Sequence, residues 1–366
     1  MNVYFYSMSL NLEYQKHVLR FKFDAGTSRG VLKTKDSWFI KVSDLSNPKV
    51  FGLGEVSIID RLSFDYSIDF ESELDALADL LSKYSAPKSS EDIDGLVNEV
   101  TEFNRPAIRF ALETALLDLV NGGSRLIFKN GFSQNEEGIP INGLVWMGDE
   151  EFMREQIDAK IKAGFKCIKM KIAAMDFDAE YRILKEIRKE YKSEKLILRV
   201  DANGGFVTQE VLKRLEELSK LDLHSIEQPI MPHQMQSMQL ICKKSKVPIA
   251  LDEELIGVFG LNEKRQLLQD IRPQFIVLKP SLLGGFKSTR EWIDLAEKMN
   301  IGWWITSALE SNIGLNAICQ FTAEFDFQGH QGLGTGQLYE NNIYSPLVVQ
   351  GDEIFYRQDL SWDTPL

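Results

Sequence analysis

Five charged residues in the second half of the chain stand at nearly even spacing, each at the end of an apolar run. They are Lys171, Asp201, Glu227, Asp252 and Lys279, and neighbours in this series are 25 to 30 residues apart. A strand, a helix and two short loops fill about that length, and β/α barrels carry their chemistry at the carboxyl ends of the strands. The series therefore predicts three carboxylates between two lysines at the mouth of a barrel.

The side-chain alternation of a strand places further polar residues beside this series. Successive side chains point to opposite faces, so Lys169 shares a face with Lys171, and Asn203 continues the face of Asp201. Aliphatic residues such as Met170 point the other way, where helices would pack. We therefore expect the polar set to line the barrel interior or its mouth.

Three carboxylates facing a barrel interior indicate a metal site. A solvated strand end is the alternative interpretation for any single residue, but the whole set would be costly to bury unless its charges neutralise each other around an ion. Carboxylate oxygens without a nearby histidine or cysteine favour a hard cation. We expect one Mg²⁺, or another divalent cation such as Mn²⁺, held by Asp201, Glu227 and Asp252.

The pattern of strands and helices changes near residue 135. Strand signals at 18–23 and 38–42 and helical periodicity predict an α+β domain over residues 1–135. Its predicted helices cover 71–84, 91–103 and 105–119, with Asn104 as the N-cap of the last. Strands and helices then alternate over residues 136–342, which predicts a parallel barrel. The eight strand candidates are 139–146, 166–172, 196–201, 223–228, 248–253, 274–280, 302–307 and 331–336.

Local signals mark several helix ends and the last part of the chain. Asp149 precedes one barrel helix and Gly164 ends it, while Thr208 is the predicted start of another. Residues 343–366 are strand-like again, and we expect them to pack back on the N-terminal domain and complete it.

Composition excludes several classes of protein. The chain has 366 residues and a net charge of −12 without a basic stretch, which argues against a nucleic-acid partner. Three cysteines without CxxC spacing are typical of buried, reduced thiols. The first residues lack a basic stretch followed by an apolar one, and no run approaches a membrane span. We therefore expect a cytoplasmic protein that acts on a small molecule, with oligomer formation left open.

Six short motifs, in order and at barrel spacing, resemble those of the enolase superfamily. They are Gly-Leu-Gly-Glu (52–55), Lys-Met-Lys (169–171), Asp-Ala-Asn (201–203), Glu-Gln-Pro (227–229), Asp-Glu (252–253) and Lys-Pro (279–280). The lysines on the second and sixth barrel strands resemble those of the subgroup of muconate-lactonizing enzymes. The resemblance implies an α/β fold, a modified TIM barrel of the (β/α)8 type with an α+β capping domain. No histidine ends the seventh strand, which argues against the branch that resembles mandelate racemase.

Softer segments resemble the o-succinylbenzoate synthase family within this subgroup. They are Thr-Ser-Arg-Gly (27–30), Ile-Thr-Ser-Ala-Leu-Glu-Ser-Asn-Ile-Gly (305–314) and Gly-Leu-Gly-Thr-Gly (332–336). The implied reaction is the Mg²⁺-dependent syn dehydration of 2-succinyl-6-hydroxy-2,4-cyclohexadiene-1-carboxylate to 2-succinylbenzoate in menaquinone biosynthesis. It would proceed through lysine proton abstraction and a metal-stabilised enediolate.

The resemblance also implies a role for each site residue. Lys171 would be the base and Lys279 the cation that stabilises the enediolate. Glu253 would support the metal site from outside it, or else face outward as a structural residue. The expected substrate-binding residues are Arg29, Lys169, Asn203, Thr306, Ser307, Gly332 and Gly334.

Three other functions remain open at this point. A racemase of N-succinylamino acids or an epimerase of dipeptides would use both lysines as bases on opposite faces of one carbon. Dipeptide epimerases resemble one another in an Asp-x-Asp at the eighth strand, and this chain has Gly-Leu-Gly-Thr-Gly-Gln there (332–337). A cycloisomerase shares the lysines and the metal. A retired barrel used as a binding protein would have no need of two buried lysines.

Overall fold

An antiparallel sheet opens the chain. The computed structural model describes residues 10–27, 30–67, 69–173 and 176–365. Strands β1 (Leu10–Thr27), β2 (Gly30–Asp44) and β3 (Phe51–Ser57) lie side by side in that order. The first two are longer than the predicted 18–23 and 38–42, because the ladder between β1 and β2 starts at Leu10 opposite Asp44.

Three helices cover this sheet close to the predicted positions. They are α1 (Phe70–Leu81), α2 (Glu91–Val100) and α3 (Pro106–Val120). Arg105, and not the predicted Asn104, is the residue before α3, since Pro106 takes the first helical position, which needs no N–H donor. Gly52 and Gly54 of β3 let α3 approach closely, because a Cβ at either position would overlap a backbone carbonyl of that helix. Their own core of aliphatic and aromatic side chains holds these elements together.

A parallel sheet forms the second half of the chain, as predicted. Strand β4 (Ile139–Pro140) lies outside it. Seven strands form the sheet in sequence order, and neighbours are hydrogen-bonded. They are β5 (Gly143–Val145), β6 (Cys167–Lys171), β7 (Ile197–Asp201), β8 (Ser225–Glu227), β9 (Ile249–Leu251), β10 (Phe275–Leu278) and β11 (Gly302–Ile305).

Two of the eight predicted strands differ from the structure. The predicted strand 139–146 is interrupted, because Pro140 pairs with Glu353 in another sheet and only β5 joins the barrel. The predicted strand 331–336 is reduced to two isolated bridges, Gln331 with Ile141 and Gly332 with Thr306. These bridges link the last barrel strand to the first, so the curled sheet is closed at its seam by single contacts.

Helices connect successive strands on the outside of the sheet. Asp149 caps α4 (Glu150–Lys162) by accepting a 2.9 Å hydrogen bond from the Phe152 backbone amide, and Gly164 follows the end of this helix at φ +93, as predicted. Thr208 does not begin a helix, since its hydroxyl bonds to Gln234 and α6 (Val211–Leu218) begins three residues later. The helices are α4 (Glu150–Lys162), α5 (Phe177–Glu190), α6 (Val211–Leu218), α7 (Met235–Lys244), α8 (Leu261–Ile271), α9 (Pro280–Leu283), α10 (Gly285–Lys298) and α11 (Asn312–Thr322).

The alternation predicted for the barrel strands is present. Ile168, Met170, Leu198 and Val200 are buried in the core between the sheet and its helices. The alternate residues therefore point into the barrel, and their polar groups must find partners there.

The last part of the chain forms a hairpin of β12 (Leu347–Gln350) and β13 (Glu353–Tyr356), and β13 pairs with β4. Ile343 packs against Phe39 and Leu53 of the N-terminal sheet. The division into residues 1–135, 136–342 and 343–366 stays a prediction. Among the described residues, no helix is long and apolar enough to cross a membrane.

Candidate active site

Two lysines of β6 hold the carboxylates of the next two strands. Nζ of Lys171 lies 3.1 Å from Oδ2 of Asp201, and Nζ of Lys169 lies 3.2 Å from the same oxygen. Lys169 also forms an ion pair with Glu227. These residues are all buried, so their charges interact in a medium of low polarity.

Lys279 and Asp252 form a second ion pair on the far side of the cluster. Nζ of Lys279 lies 2.5 Å from Oδ2 of Asp252. Because the sheet order runs from β6 to β10 without a crossover, the two lysine-bearing strand ends flank the three carboxylate-bearing ones. The structure thus brings all five residues of the spaced series into one cluster.

Asn203 links this cluster to Glu253. Its Oδ1 accepts a 2.6 Å hydrogen bond from Lys171, and its Nδ2 donates to Glu253 over 3.1 Å. Its backbone N–H donates to Oδ1 of Asp201 over 3.0 Å. A φ of +43 lets the backbone turn so that both ends of the side chain face the site. Glu253 is buried, so the outward-facing alternative for this residue is wrong.

The three lysines differ in electrostatic environment. Burial, followed by the neighbouring cations Lys169 and Lys279, lowers the pKa of Lys171 against the opposing pull of Asp201. Burial acts the same way on Lys279, but Asp252 and Glu253 outweigh it and raise that pKa. The carboxylates around Lys169 likewise raise its pKa well above the ordinary value. Lys171 is therefore the lysine of this cluster that most readily gives up its proton.

The carboxylates repel one another. Burial, together with Asp201 and Asp252, raises the pKa of Glu227 to about 7 in spite of Lys169. Burial and the neighbouring Glu253 and Asp201 also raise the pKa of Asp252, whereas the three lysines outweigh burial at Asp201 and lower its pKa. A cation bound between these groups would relieve the repulsion.

The residues present suit a hard divalent cation by their chemistry. Oε1 of Glu227 is buried and has no hydrogen-bond partner among the described residues, which leaves a carboxylate oxygen available as a ligand. In the described part of the chain, no group of three carboxylate, histidine or cysteine side chains is gathered closely enough to hold an ion. Instead, the lysine ammonium groups lie against the carboxylates.

A cavity of about 440 Å³ opens above the cluster. Its floor includes Lys169, Lys171, Asp201, Asn203 and Lys279, and the predicted Thr306, Ser307, Gly332 and Gly334 form part of its wall. Leu32, Ile59 and Leu62 of the N-terminal part also line it. The predicted substrate residue Arg29 lies outside the described residues.

Two residues of the wall are fixed by the ends of neighbouring strands. The hydroxyl of Thr306 donates to the carbonyl oxygen of Gly332 over 2.9 Å, and a Cβ at Gly332 would overlap the Thr306 side chain. The hydroxyl of Ser307 donates to Glu310 over 2.5 Å, and Glu310 also accepts from Ser281. Gly332 therefore serves close packing of Thr306 at the barrel seam.

The sequence analysis missed one neighbour of Lys171. The ring of Trp146, on the first barrel segment, lies 5.6 Å from Nζ of Lys171 and is almost fully buried. Its only sequence signal was its place at the end of a predicted strand. A tryptophan face near an ammonium group stabilises the cation and limits where it can move.

Comparison with known proteins agrees with this arrangement. Residues 152–354 match the family model of enolase C-terminal domain-like proteins. The o-succinylbenzoate synthase of Desulfotalea psychrophila is 47% identical over 93% of this chain and 98% of its own length. The chain belongs to the enolase superfamily. The predicted α/β fold, a modified TIM barrel with a capping domain, is thereby confirmed for this superfamily member.

Solved structures and more distant relatives give the same family. The crystal structure of MenC from D. psychrophila superimposes on this superfamily member with a TM-score of 0.86, at 43% identity over 95% of this chain and 99% of that one. An L-Ala-D/L-Glu epimerase of Francisella tularensis subsp. novicida is 26% identical over 59% of this chain and 60% of its own. The similarity to the D. psychrophila protein therefore extends over nearly the whole chain, and the similarity to the epimerase over about three fifths of it.

Proposed function

We propose that this protein is an o-succinylbenzoate synthase, which converts 2-succinyl-6-hydroxy-2,4-cyclohexadiene-1-carboxylate to 2-succinylbenzoate and water. The observation that carries the proposal is the 47% identity to a synthase over nearly the full length of both chains. The epimerase reported above matches about three fifths of each chain at 26%. The cluster of lysines and carboxylates supports the same reaction class, proton removal next to a carboxylate.

Lys171 is the proposed base. It lies on the cavity floor, and its lowered pKa, due to burial and to Lys169 and Lys279, favours the neutral amine that can accept a proton. Trp146 and Asn203 limit the positions that its Nζ can occupy. Pairing a lysine base with a divalent cation is the established pattern of the superfamily.

In the first proposed step, the C1–H bond of the substrate breaks. The proton goes to Nζ of Lys171, and the electron pair enters the adjacent carboxylate to give a dianionic enediolate. Lys279 and Lys169 remain protonated beside the cavity, since the carboxylates raise their pKa values. Their positive charges lower the energy of the developing dianion.

In the second step, the electron pair forms the C1–C6 double bond and the C6–O bond breaks. The hydroxyl takes the proton from Lys171 on the same face and leaves as water, which makes the dehydration syn and the product aromatic. Asp201, Glu227 and Asp252 would hold the divalent cation, Mg²⁺ or Mn²⁺. When bound, such a cation supplies a fixed positive charge for the substrate carboxylate.

The remaining predicted residues are proposed to bind the substrate. Lys169 and Asn203 lie on the cavity floor, and Thr306, Ser307, Gly332 and Gly334 form part of the wall. Arg29, which lies outside the described residues, keeps its predicted role in substrate binding. The three cysteines are buried and unpaired, which supports the proposed cytoplasmic location. Menaquinone biosynthesis is the proposed pathway.

Ultraviolet detection of the aromatic product tests the proposal. We expect the purified protein, loaded with Mg²⁺, to convert the cyclohexadiene substrate and to lose this activity when a chelator removes the metal. Failure of the metal-loaded protein to dehydrate the substrate would overturn the proposal.

A racemase of N-succinylamino acids is the second candidate, because lysines flank the carboxylates on both sides. Racemisation, followed by polarimetry, in the absence of dehydration would favour it over the synthase.

A further inference from the structure

Gln228 connects the loops that follow three neighbouring barrel strands. It comes directly after Glu227 and is fully buried. Its side-chain oxygen accepts hydrogen bonds from the backbone amides of Asp252 and Glu254, each over 3.2 Å. Its backbone carbonyl accepts from the amide of Gly204 over 2.7 Å. One residue thus joins the segments that carry Asp201, Glu227 and Asp252.

The side-chain amide nitrogen of Gln228, Nε2, completes this arrangement. It donates to the carbonyl of Ile230 over 3.0 Å and to Oε2 of Glu254 over 3.1 Å. The other oxygen of Glu254 accepts from the His233 amide over 3.0 Å. Both polar ends of the Gln228 side chain are therefore satisfied, and Glu254 holds the side chain in this orientation.

The backbone of Gln228 is held in a conformation that residues other than glycine rarely adopt. Its φ is +36, which costs free energy unless surrounding contacts enforce it. Such strain is typical of sites where geometry matters more than stability. Gln228 is not among the residues that line the cavity above the cluster.

We propose that Gln228 is a positioning residue that sets the spacing of the Asp201, Glu227 and Asp252 carboxylates and thereby the affinity for the divalent cation. This inference rests on the proposed function, in which these three residues hold that cation. Outer hydrogen-bond partners of metal ligands usually change metal affinity by about 10- to 100-fold when they are replaced.

The test measures the Kd of Mg²⁺ by calorimetry and that of Mn²⁺ by electron paramagnetic resonance. Gln228→Glu keeps the shape but removes both N–H donors and places an oxygen against Glu254. We expect its Kd for both ions to rise about 10-fold or more. Glu254→Gln perturbs only one contact and should give a smaller rise. In the double variant, the amide at position 254 can donate to the carboxylate at 228, so part of the affinity should return.

Gln320→Glu is the matched control. Gln320 is also fully buried, and its side-chain oxygen accepts from two backbone amides (Ile127 and Phe128). Its side-chain nitrogen donates to the backbone carbonyl of Arg125 and to Oδ1 of Asn316. It lies on α11, and Gln320→Glu should lower the melting temperature without changing the metal Kd. In Gln228→Glu, the substrate KM at saturating metal should stay near the wild-type value, because this residue does not line the cavity.

Three outcomes would overturn the inference. A folded Gln228→Glu protein with the wild-type Kd would show that the hydrogen bonds of Gln228 do not set metal affinity. An equal rise in Gln320→Glu would show a general effect of destabilisation. If Gln228→Glu does not fold, the milder Glu254→Gln decides, and an unchanged Kd there contradicts the proposal. A wild-type protein that binds neither ion would instead overturn the proposed function itself, along with this inference.

Discussion

Oδ1 of Asn203 accepts a 2.6 Å hydrogen bond from Nζ of Lys171. This contact fixes the proposed base over the cavity floor while leaving its neighbouring carboxylate, Asp201, in reach. We expect Asn203→Gly to lower kcat for dehydration by about 10- to 100-fold, since a misplacement of about 1 Å costs a reacting group that much. Glycine is the right replacement because Asn203 has φ +43, which glycine adopts without strain.

Asn300→Gly serves as the control for this variant. Asn300 also has a positive φ, of +56, but it is exposed at the end of α10. Its replacement should leave kcat unchanged. If Asn203→Gly kept the wild-type kcat, the hydrogen bond to Lys171 would have no catalytic importance.

Trp146 should matter for catalysis through its ring. We expect Trp146→Leu to lower kcat by about 10-fold, because the ring face stabilises the ammonium that forms when Lys171 accepts the substrate proton. That stabilisation is roughly 1 to 2 kcal/mol when water is excluded. Trp146→Phe keeps an aromatic face and should lose less. The measurement is kcat at saturating substrate and metal.

A second lysine–tryptophan pair provides the control. Nζ of the buried Lys264 lies 5.7 Å from the ring of Trp292, outside the cavity lining. Trp292→Leu should lower the free energy of unfolding by about 3 kcal/mol and leave kcat intact. Equal losses of kcat in both variants would mean that Trp146 acts through stability alone.

Glu55 should hold the two parts of the molecule together. It accepts from Ser37 (2.7 Å), from the amide and hydroxyl of Ser311 (2.9 and 2.6 Å) and from the Gly314 amide (3.0 Å). Glu55→Gln places an amide against some of these donors and removes the carboxylate that lies 3.8 Å from the buried Lys35 ammonium. Urea denaturation should therefore show a loss of about 3 kcal/mol in the free energy of unfolding. Adding Lys35→Met should recover part of it. A Glu55→Gln protein as stable as the wild type would contradict this role.

Glu113 should make the protein less stable as the pH rises. Burial raises its pKa from 4.5 to about 7, although the Phe286 amide and Arg109 act in the opposite direction. Below pH 4.5 the carboxyl is protonated in both folded and unfolded chains, so it contributes no pH dependence there. Between pH 4.5 and 7 the folded chain binds more protons, so stability falls. The loss is complete above pH 7, at about 3 kcal/mol.

Glu113→Gln removes this titration. The difference in unfolding free energy between Glu113→Gln and the wild type should therefore grow by about 3 kcal/mol in favour of the variant from pH 4 to pH 8. Chemical denaturation at several pH values measures it. A difference that stays constant with pH would show that Glu113 ionises normally in the folded protein.

The sequence predicted the charged cluster better than the strands that carry it. Polar and aliphatic residues alternate along the barrel strands, and the aliphatic ones must face the helices. This alternation alone predicts that Lys169, Lys171 and Asp201 point into the barrel. The prediction of a strand at 331–336 was wrong, because the glycines and turn residues there carry no such alternation. Only Gln331 and Gly332 form bridges. Pro140 broke the first strand because it has no N–H to give to the barrel sheet.

Contacts between distant segments were beyond the sequence. Nothing in the chain order indicates that Trp146 lies over Lys171, or that Glu55 bonds to Ser311 more than 250 residues away. Gln228 stood in the quoted motif Glu-Gln-Pro, but its role depends on backbone amides that only the folded loops bring together.

The most direct test of the central claim compares dehydration by the wild-type protein and by Lys171→Ala, both loaded with Mg²⁺ and checked for folding by circular dichroism. The account predicts that the wild type forms 2-succinylbenzoate, detected by its ultraviolet absorbance, and that Lys171→Ala loses at least about 10³-fold in kcat, as expected for the loss of the proton acceptor. Substantial turnover by folded Lys171→Ala would contradict the assignment of Lys171 as the base.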